Sequence, residues 1–425
     1  MKHSQHVLVV GGGLIGLCTA YALLRDGHTV TIVERATLGS GAAQGNAGEV
    51  TPLQVTPLAS PNTVKDIVAG VLTKSSYLSI AKRQLLGLSG FGLGFIRSAG
   101  KARTAAALKA FGQLADGIFP SLDSMTADGI DTSGGGEGFL FTATSLIELE
   151  AAYASFTSRA SAAANNLPNP IMLDDELHQF EPTLADTVRG GFLLPAERYL
   201  SPMKFVASLI RYVTANGATV HEHTPVRRLT EAGQRPGVIV SGQDGTEQTL
   251  NADAVVIAAG AWTSAILTGT RTTVKVVSGK GYSFTVPVER MPNTLIHSVD
   301  RHCVFTPMDG ALRVVGMMEF DGRPEQLNAD RISYLIRAAT GVLTGAHWVE
   351  RTDEWVGPRP MTADGLPAIG PVRGRQATYV ATGHNMHGLS LGPITGDLVA
   401  QLVAGDPATV NGRAIDLAPF SATRS

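Results

Sequence analysis

The chain has 425 residues, of which 44% are hydrophobic and 16% charged, an ordinary globular composition that is long enough for two or three domains. Its 34 basic and 36 acidic residues give a net charge of −2, which excludes a general nucleic-acid binder. Cys18 and Cys303 are the two cysteines, so a disulfide scaffold and a cysteine-based zinc site are excluded and a reducing, cytoplasmic compartment is expected.

The first apolar segment, 7–24, has 18 consecutive uncharged residues, which is close to the length of a membrane span. The residues before it are too few for a signal peptide with its cleavage pattern. Glycines at positions 11, 12, 13 and 16 argue against a helix exposed to lipid. We therefore predict a strand at 7–10, a glycine turn, a helix at 14–25 and a second strand at 29–34, which together form a βαβ unit.

Farther along, an apolar patch at 85–96 is too short to span a membrane. We interpret it as an internal core segment, with contact to a membrane surface or a partner as the alternative. The other predicted elements are, in order, an ordered loop at 38–61, helices at 101–125 and 146–164, a strand at 139–142, an amphipathic helix at 203–216, strands at 219–223 and 253–258, a hairpin of 303–307 and 312–317, a strand at 378–381 and a helix at 389–404.

The pattern changes in mid-chain from βαβ units to hairpins. This change predicts two intertwined domains of mixed class, α/β and α+β. One is a doubly wound, Rossmann-like domain that binds a dinucleotide, and the other is a substrate domain built on a mainly antiparallel sheet.

The motif Gly11-x-Gly13-x-x-Gly16 stands between the first predicted strand and the first helix. Gly11 permits the tight turn, Gly13 lets the backbone approach a pyrophosphate, and Gly16 lets helix and strand pack closely. The pyrophosphate would meet the free N–H groups and the positive end of the helix dipole. Glu34, 21 residues after Gly13, could accept hydrogen bonds from a ribose diol. Strand, helix and acid together make this a strong signal for a dinucleotide site.

The motif alone does not distinguish a nicotinamide from a flavin dinucleotide, but three later segments favour the flavin. Val226 stands where an adenine could rest against the end of a strand. Residues 255–260 form an apolar strand that ends in small residues, which would let a flat cofactor lie close. Residues 383–388 precede the last long helix, whose start could stabilise negative charge on a reduced flavin ring. A nicotinamide-dependent reductase would leave the last two segments without a role.

The whole pattern resembles the FAD-dependent D-amino acid oxidase superfamily, and within it the bacterial D-amino acid dehydrogenase type. The resemblance covers nearly the entire chain and is more specific for the superfamily than for the substrate. It rests on the segments 45–52 (GNAGEVTP), 280–283 (KGYS), 312–319 (LRVVGMME), 357–362 (GPRPMT), 364–367 (DGLP) and 383–388 (GHNMHG).

The resemblance implies an FAD bound in an extended form. Cys303 lies in a predicted hairpin strand rather than facing the ring, so we expect the FAD to be noncovalent. Arg359 matches the arginine that grips the substrate carboxylate in the oxidase branch, where a planar guanidinium binds a carboxylate bidentately. Tyr282 is expected as a pocket wall or hydrogen-bond donor, and His387 as a catalytic side chain, although either His384 or His387 could face the flavin. The residues expected to bind the cofactor are Gly11, Gly13, Leu14, Ile15, Gly16, Glu34, Arg35, Ser40, Asn46, Ala47, Gly48, Val226, Ala259, Gly260, Gly383, Met386, His387, Gly388, Leu389 and Ser390.

We expect the two intertwined domains to be discontinuous in sequence. The FAD-binding domain takes 1–80, 190–265 and 350–425, and the substrate domain takes 81–189 and 266–349. Three residues depart from the family pattern and bear on the substrate rather than the fold. Ala43 stands where many relatives have Ser, Glu49 stands where the dehydrogenases tend to have Gln, and His387 occupies a variable position.

The expected reaction transfers a hydride from Cα of an amino acid, primary or cyclic, to flavin N5, after which the imine hydrolyses. The electrons would pass to a quinone, another carrier or oxygen. His384 and His387 have no third ligand nearby in sequence, so no metal site is predicted. The alternatives are an oxygen-using glycine- or sarcosine-type oxidase, a nicotinamide-dependent reductase, and a catalytically silent flavin-binding protein. Homo- or hetero-oligomers and peripheral contact with the inner face of the membrane also stay open as expectations.

Overall fold

The computed structural model describes residues 4–60, 77–162, 166–230, 235–242 and 245–424. Its helices are α1 (Leu14–Arg25), α2 (Ser89–Ser98), α3 (Lys101–Ala115), α4 (Ile118–Ala127), α5 (Leu146–Ala162), α6 (Asp174–Phe180), α7 (Pro202–Ala215), α8 (Thr263–Ile266), α9 (Ala329–Thr340) and α10 (Gly388–Ala404). Its strands are β1 (His6–Val10), β2 (Thr29–Val33), β3 (Glu49–Val50), β4 (Leu78–Ile80), β5 (Gly136–Ala143), β6 (Met172–Leu173), β7 (Gly190–Tyr199), β8 (Thr219–His221), β9 (Val226–Leu229), β10 (Gly237–Ser241), β11 (Glu247–Asn251), β12 (Ala254–Ile257), β13 (Val277–Val286), β14 (Leu295–Ser298), β15 (Cys303–Met308), β16 (Ala311–Phe320), β17 (Thr352–Met361), β18 (Ala368–Pro371), β19 (Thr378–Thr382), β20 (Thr409–Val410) and β21 (Arg413–Ala414).

A six-stranded sheet of order β18-β19-β12-β1-β2-β8 carries the N-terminal βαβ unit and is parallel except for β18. Val7 and Val9 pack into the cluster that contains α1 and α10, whereas Leu8 and Val10 pack with the three-stranded sheet β11-β10-β9. Both faces of β1 are therefore buried. This explains why a central parallel strand has an unbroken apolar sequence.

A ten-stranded, mainly antiparallel sheet forms the second layer, with the order β17-β13-β16-β15-β14-β5-β7-β3 and with β4 and β6 paired at its sides. Ile332 and Leu335 of α9 pack into the buried cluster of this sheet. The predicted hairpin joins β15 to β16, and its two turn residues, Asp309 and Gly310, have positive φ angles of 54° and 82°. Asp-Gly suits such a turn because both residues adopt this region at low cost. The predicted fold class is confirmed.

The helix predicted at 101–125 is two helices, α3 and α4, with a break at Asp116 and Gly117. A β-carbon at Gly117 would lie 2.7 Å from Val410 and 2.8 Å from Ile394, so the chain turns there to pass close to its neighbours. The last two residues of the helix predicted at 146–164 lie outside the described residues; α5 itself is described through Ala162.

The chain passes between the two sheets more often than the predicted domain boundaries allow. We expected 190–199 and 352–361 in the cofactor domain, but both segments are strands of the ten-stranded sheet. Conversely, α3 and α4 were expected in the substrate domain, but Phe111 and Leu122 belong to the hydrophobic cluster that also contains Leu17 of α1. Both helices contact α10, and this packing places them with the six-stranded sheet.

The interpretation of 85–96 as an internal core segment is wrong. Leu86 and Leu93 expose 89% and 70% of their surface, and Leu85 and Ile96 expose more than half. In this stretch Phe95 alone is fully buried, against Ala59 and Ala99, whereas Leu88 and Phe91 are partly buried against the interior. Among the residues that the structure describes, no helix combines the length and the apolar content that crossing a bilayer requires.

Candidate active site

A cavity of about 1150 Å³ lies between the two sheets. The six-stranded sheet contributes Val10 and Val33, at the carboxyl ends of β1 and β2, and the ten-stranded sheet contributes Gly281 and Arg359. Ligands of parallel α/β sheets bind at the carboxyl ends of the strands. The volume exceeds the usual range for a single small ligand, so the cavity has room for a large cofactor and a substrate.

The glycine turn between β1 and α1 forms one wall of this cavity. Gly11 has a φ of +106°, and a β-carbon there would lie 2.5 Å from the carbonyl oxygen of Ala258. A β-carbon at Gly16 would lie 1.8 Å from the carbonyl oxygen of Gly11, which explains why helix and strand need glycine here. No protein atom lies within 4 Å of where a β-carbon of Gly13 would stand. The space beside Gly13 at the start of α1 is therefore open to a ligand.

Glu34 is fixed at the end of β2 by the backbone. Its Oε2 accepts a hydrogen bond from the N–H of Gly12 at 2.7 Å, and its Oε1 accepts one from the N–H of Ala36 at 2.8 Å. The guanidinium of the next residue, Arg35, lies 3.7 Å from the ring centroid of Trp262. Glu34, Arg35 and Trp262 all line the cavity, where a carboxylate held in this way suits a ribose diol.

The start of α10 brings two histidines to the cavity wall. His387 Nε2 lies 2.9 Å from the carbonyl oxygen of Thr56, which fixes the loop after β3. His384 Nε2 contacts the hydroxyl of Thr395 at 3.0 Å, whereas its Nδ1 is buried without a hydrogen-bond partner in the described part of the chain. Burial lowers the pKa of His384 to about 3, so its ring stays neutral.

These features fit a flavin dinucleotide. The open space at Gly13 would accept a pyrophosphate, Glu34 would accept the ribose, and the unpaired nitrogen of His384 would face a polar group of the ring. Cys303 is fully buried in the core cluster of the ten-stranded sheet, away from the cavity lining, which agrees with a noncovalent cofactor. Within the described residues, no group of three or more His, Cys, Asp or Glu side chains is arranged to hold a metal ion.

Arg359 on β17 lines the same cavity. Its Nη1 donates to the carbonyl oxygen of Met317 at 2.8 Å and contacts the sulfur of Met318 at 3.8 Å. Met317 has a positive φ of 65° beside an irregular pairing of β13 with β16. Burial lowers the pKa of Arg359 to about 10, partly offset by the charge of Glu49, so the guanidinium remains cationic at pH 7.

Arg359 forms no ion pair within 4 Å among the described residues. The hydrogen bonds that hold it are to a backbone carbonyl and a thioether, neither of which neutralises its charge. A buried cation without a paired anion is ready to take a carboxylate from a ligand.

Most of the predicted site residues lie together on the cavity wall. They are Gly11, Gly13, Leu14, Ile15, Glu34, Arg35, Ser40, Asn46, Ala47, Val226, Ala259, Gly260, Arg359, Met386, His387, Gly388, Leu389 and Ser390.

Four predicted residues are not part of the cavity lining. Tyr282 is fully buried in the core cluster, where its hydroxyl donates to Glu319, so its predicted role as a pocket wall is wrong. Gly16, Gly48 and Gly383 serve close packing instead, because a β-carbon at each would lie 2.5 Å or less from a neighbouring atom.

Several cavity residues escaped the sequence analysis. Trp355 lies against the backbone of Gly45 and Gly357, where added β-carbons would come within 2.0 Å and 1.7 Å of the indole. The sequence shows both glycines, but it does not show that the same tryptophan packs against them. His297 and Arg159 come from β14 and α5, and no local motif marks either of them.

Comparison with known proteins identifies the family and the fold. The family model described as "FAD dependent oxidoreductase", DAO, matches residues 6–402. A D-amino acid dehydrogenase of Rhizobium johnstonii is 28% identical over 418 residues, covering 96% of this chain and 98% of the relative. The crystal structure of glycine oxidase from Geobacillus kaustophilus superposes with a TM-score of 0.73 at 25% identity, covering 100% of this chain and 99% of that one. L-proline dehydrogenase from P. horikoshii shares the fold, with a TM-score of 0.73 at 16% identity and coverage of 100% and 98%.

Proposed function

The chain belongs to the DAO family of FAD-dependent oxidoreductases, and from that premise we propose that it is an amino acid dehydrogenase. FAD is its cofactor, which excludes the nicotinamide-dependent alternative. The substrate is a D-amino acid or a cyclic, secondary one such as a proline derivative. It is oxidised to an imine that water converts to the 2-oxo acid or its cyclic equivalent. Relatives named D-amino acid dehydrogenase and glycine oxidase support an amino acid as the substrate class.

The observation that carries this proposal is the unpaired guanidinium of Arg359 in the cavity wall. A guanidinium binds a carboxylate through two parallel hydrogen bonds, which fixes the plane of the carboxylate and therefore the direction of the Cα–H bond. Neutral amines and alcohols would leave this cation without a partner. A carboxylate on the carbon to be oxidised is thus the feature that the site selects.

Bound FAD supplies the hydride acceptor for this reaction. The residues of this chain would bind and orient. The N-terminus of α1 and Gly13 would hold the pyrophosphate, Glu34 the ribose, and Arg359 the substrate carboxylate. His387, through its bond to Thr56, would keep the loop after β3 in place beside the substrate. The indole of Trp355 would help to exclude water.

The test is an anaerobic titration of the purified, FAD-loaded protein with D- and L-amino acids, including proline analogues. We expect the visible flavin absorbance to bleach with one stereochemical series. Arg359→Ala should keep the yellow colour but resist bleaching. A yellow protein that no amino acid bleaches would overturn the proposed substrate class, and equal bleaching of the Arg359→Ala protein would overturn the role of the guanidinium.

We infer that the electrons leave to a carrier such as a quinone rather than to oxygen. The alternative, an oxygen-using oxidase, is favoured by the likeness to glycine oxidase from Geobacillus kaustophilus. One experiment distinguishes a dehydrogenase from an oxidase. The substrate-reduced protein is mixed either with air or with a soluble quinone, and the recovery of the flavin absorbance is followed. Rapid recovery of the absorbance with quinone and slow recovery with air supports the dehydrogenase, and the reverse order establishes the oxidase.

We also propose that the exposed side of α2 contacts an anionic lipid surface. Leu93 and Ile96 of α2 are exposed, as are Leu85 and Leu86 just before it, and no Asp or Glu occurs anywhere from 67 to 115. The exposed cations Lys82, Arg83, Arg97, Lys101 and Arg103 lie close to these residues in the sequence. Exposed apolar side chains with neighbouring basic residues suit the interface of an anionic bilayer, where each cation contributes about 1 kcal/mol.

Co-sedimentation with vesicles tests this surface. The protein should sediment with phosphatidylglycerol vesicles and not with phosphatidylcholine vesicles, and the double change Leu86→Ser, Leu93→Ser should abolish the effect. Val349→Ser is the matched control, because Val349 is 92% exposed on another part of the surface. Loss of concentration-dependent self-association in the double variant, without any vesicle binding by the unaltered protein, would show that a second copy of the chain covers α2 and would overturn the lipid proposal.

A further inference from the structure

Glu49 and His297 form a pair on the wall of the cavity. The Oε1 of Glu49 lies 3.1 Å from Nδ1 of His297, and both residues line the cavity with about a fifth to a quarter of each side chain exposed. β3 places Glu49 opposite Tyr199, and β14 places His297 opposite Phe141. The imidazole stacks on the ring of Phe141, with centroids 4.8 Å apart and planes 19° from parallel. The pair is therefore held in one orientation toward the cavity.

The charge of Glu49 acts on three further groups of the site. It raises the pKa of Arg359 and of His387, in each case against the larger lowering effect of burial. It also helps to raise the pKa of Glu197, which burial alone would already raise. These groups come from β17 (Arg359), from the residue before α10 (His387) and from β7 (Glu197), and two more titratable groups adjoin Glu49: His297 on β14 and Tyr199, its partner on β7. The cavity thus presents a cation, Arg359, and an anion, Glu49, within electrostatic range of each other.

This arrangement complements the two charges of an amino acid. If Arg359 takes the α-carboxylate, the α-ammonium lies within a few ångströms of it, on the same Cα, and needs an acceptor of its own. Glu49 is the cavity carboxylate whose charge raises the pKa of Arg359. Glu34, the other acid of the lining, already accepts two backbone N–H groups at the nucleotide end.

We propose that Glu49, positioned by His297, receives the ammonium group of the substrate and takes its proton. The N–H bond breaks and its electron pair stays on nitrogen, while an O–H bond forms on the Glu49 carboxylate. The neutral amine then uses its lone pair to form the C=N bond as the hydride leaves Cα for FAD, the oxidant. Glu49 thus acts as a base and as a specificity residue for amines. This inference rests on the proposed function.

A pair of unreactive ligands tests the binding part without turnover. 2-Aminoisobutyrate has no Cα–H bond and cannot be oxidised, and pivalate replaces its ammonium with a methyl group of similar size. Both carry the carboxylate that Arg359 would bind. Calorimetric titration of the FAD-loaded protein should show tighter binding of 2-aminoisobutyrate. Glu49→Gln should reduce this preference tenfold or more, and the affinity for pivalate should not fall, because the substitution removes a negative charge near the carboxylate that Arg359 binds. Glu247→Gln, an exposed acid in a surface pair with Arg228, controls for the lost charge.

The pH profile of anaerobic flavin reduction tests the proton transfer. In Glu49→Gln the rate should fall at neutral pH and recover as the pH reaches the range in which the free substrate amine loses its own proton. His297→Asn should shift the profile in the same direction by less. A Glu49→Gln protein with an unchanged preference for 2-aminoisobutyrate, or with a rate lowered equally at every pH, would overturn this inference. Failure of every amino acid to reduce the unaltered protein would instead refute the proposed function.

Discussion

The guanidinium of Arg359 fills the space beside the α-carbon of Gly281. A β-carbon at position 281 would lie 2.3 Å from the central carbon of that guanidinium. The two residues belong to adjacent antiparallel strands, β17 and β13. Glycine at 281 is therefore the condition for the arginine to lie flat against the strand with its edge toward the cavity.

Gly281→Ala should displace Arg359 and lower kcat/KM for the amino acid substrate without loss of FAD. The added methyl group forces the guanidinium from its bond to the carbonyl of Met317. Such overpacking costs about 1–3 kcal/mol, or roughly 5- to 140-fold in kcat/KM. Gly90→Ala is the control, since open space surrounds its β-carbon position. An unchanged kcat/KM would mean that Arg359 does not depend on Gly281.

Arg359→Lys should lose most of the activity although it keeps the positive charge. Lysine cannot form the two parallel hydrogen bonds of a guanidinium with a carboxylate. Removing one partner of a buried charged pair costs about 2–4 kcal/mol, so kcat/KM should fall roughly 30- to 700-fold. Steady-state kinetics, together with the FAD content of the variant, provide the measurement. Full activity of the lysine variant would rule out bidentate binding at this position.

Gly13→Ala and Gly16→Ala should separate cofactor binding from folding. The methyl group at 13 meets no protein atom within 4 Å, and the backbone there is extended, so the variant should fold normally. It should bind FAD about 5- to 140-fold more weakly, because the methyl group occupies the space left for the pyrophosphate. The methyl group at 16 would lie 1.8 Å from a backbone oxygen, so Gly16→Ala should lower stability itself. Fluorescence titration with FAD and thermal unfolding of the apoprotein distinguish the two effects, and wild-type FAD affinity in Gly13→Ala would contradict the pyrophosphate assignment.

Glu197→Gln should make the protein more stable at alkaline pH. Burial raises the pKa of Glu197 to about 7, with the charge of Glu49 adding to the effect and bonds from Thr51 and Leu53 opposing it. The folded chain then holds a proton that the unfolded chain releases above pH 4.5. The resulting stability is fully present below that pH and is lost as the pH rises to about 7, by about 3 kcal/mol. Glutamine keeps the neutral shape and removes this loss.

Denaturant unfolding at pH 5 and pH 8 measures the effect as the difference between variant and wild type. The difference is needed because buried His384 acts in the opposite direction. Its lowered pKa makes the folded chain lose stability as the pH falls below 6.5. A variant that shows the same pH dependence as the wild type would mean that Glu197 is ionised in the folded protein.

Neither cysteine should react with a thiol reagent in the native protein at pH 8. Cys18 and Cys303 are fully buried, and burial raises the pKa of both thiols. Both should react after unfolding. Rapid labelling of one thiol in the native state would show that the core around α1 or β15 opens, and mass spectrometry of the labelled protein would identify which.

The local elements of the cofactor site were predictable because each has a signal within a few residues. The strand at 7–10, the turn at Gly11 and the acid at Glu34 follow from hydrophobic runs, glycine spacing and the length of one βαβ unit. Arg359 was predicted from its match to a family motif and not from the physical chemistry of the neighbouring sequence. A lone Gly-x-Arg-Pro sequence does not show whether the arginine has an anionic partner. That depends on the pairing of β17 with β13, which brings Arg359 to the carbonyl oxygen of Met317 on β16.

The errors share one physical cause, which is that burial is set by distant parts of the chain. Tyr282 was expected in the pocket from the family resemblance, but the pleat of β13 turns it to the face opposite Gly281, toward Glu319. The leucines at 85–96 have the composition of a core segment, yet α2 lies where the described chain provides little to cover it. His297 had no signal because its partner, Glu49, is 248 positions away.

The central place of β1 in its sheet has a consequence for synthesis in the cell. β1 lies between β2 and β12, and β12 begins at Ala254, 244 positions after β1 ends at Val10. At the usual speed of a ribosome, about 5–20 residues per second, one apolar edge of β1 waits roughly 12–50 s for its partner. Until β12 has emerged from the ribosome, that edge of β1 has no strand of this sheet to pair with. If the start of α10 holds FAD as proposed, the cofactor site is complete only when nearly the whole chain has been made.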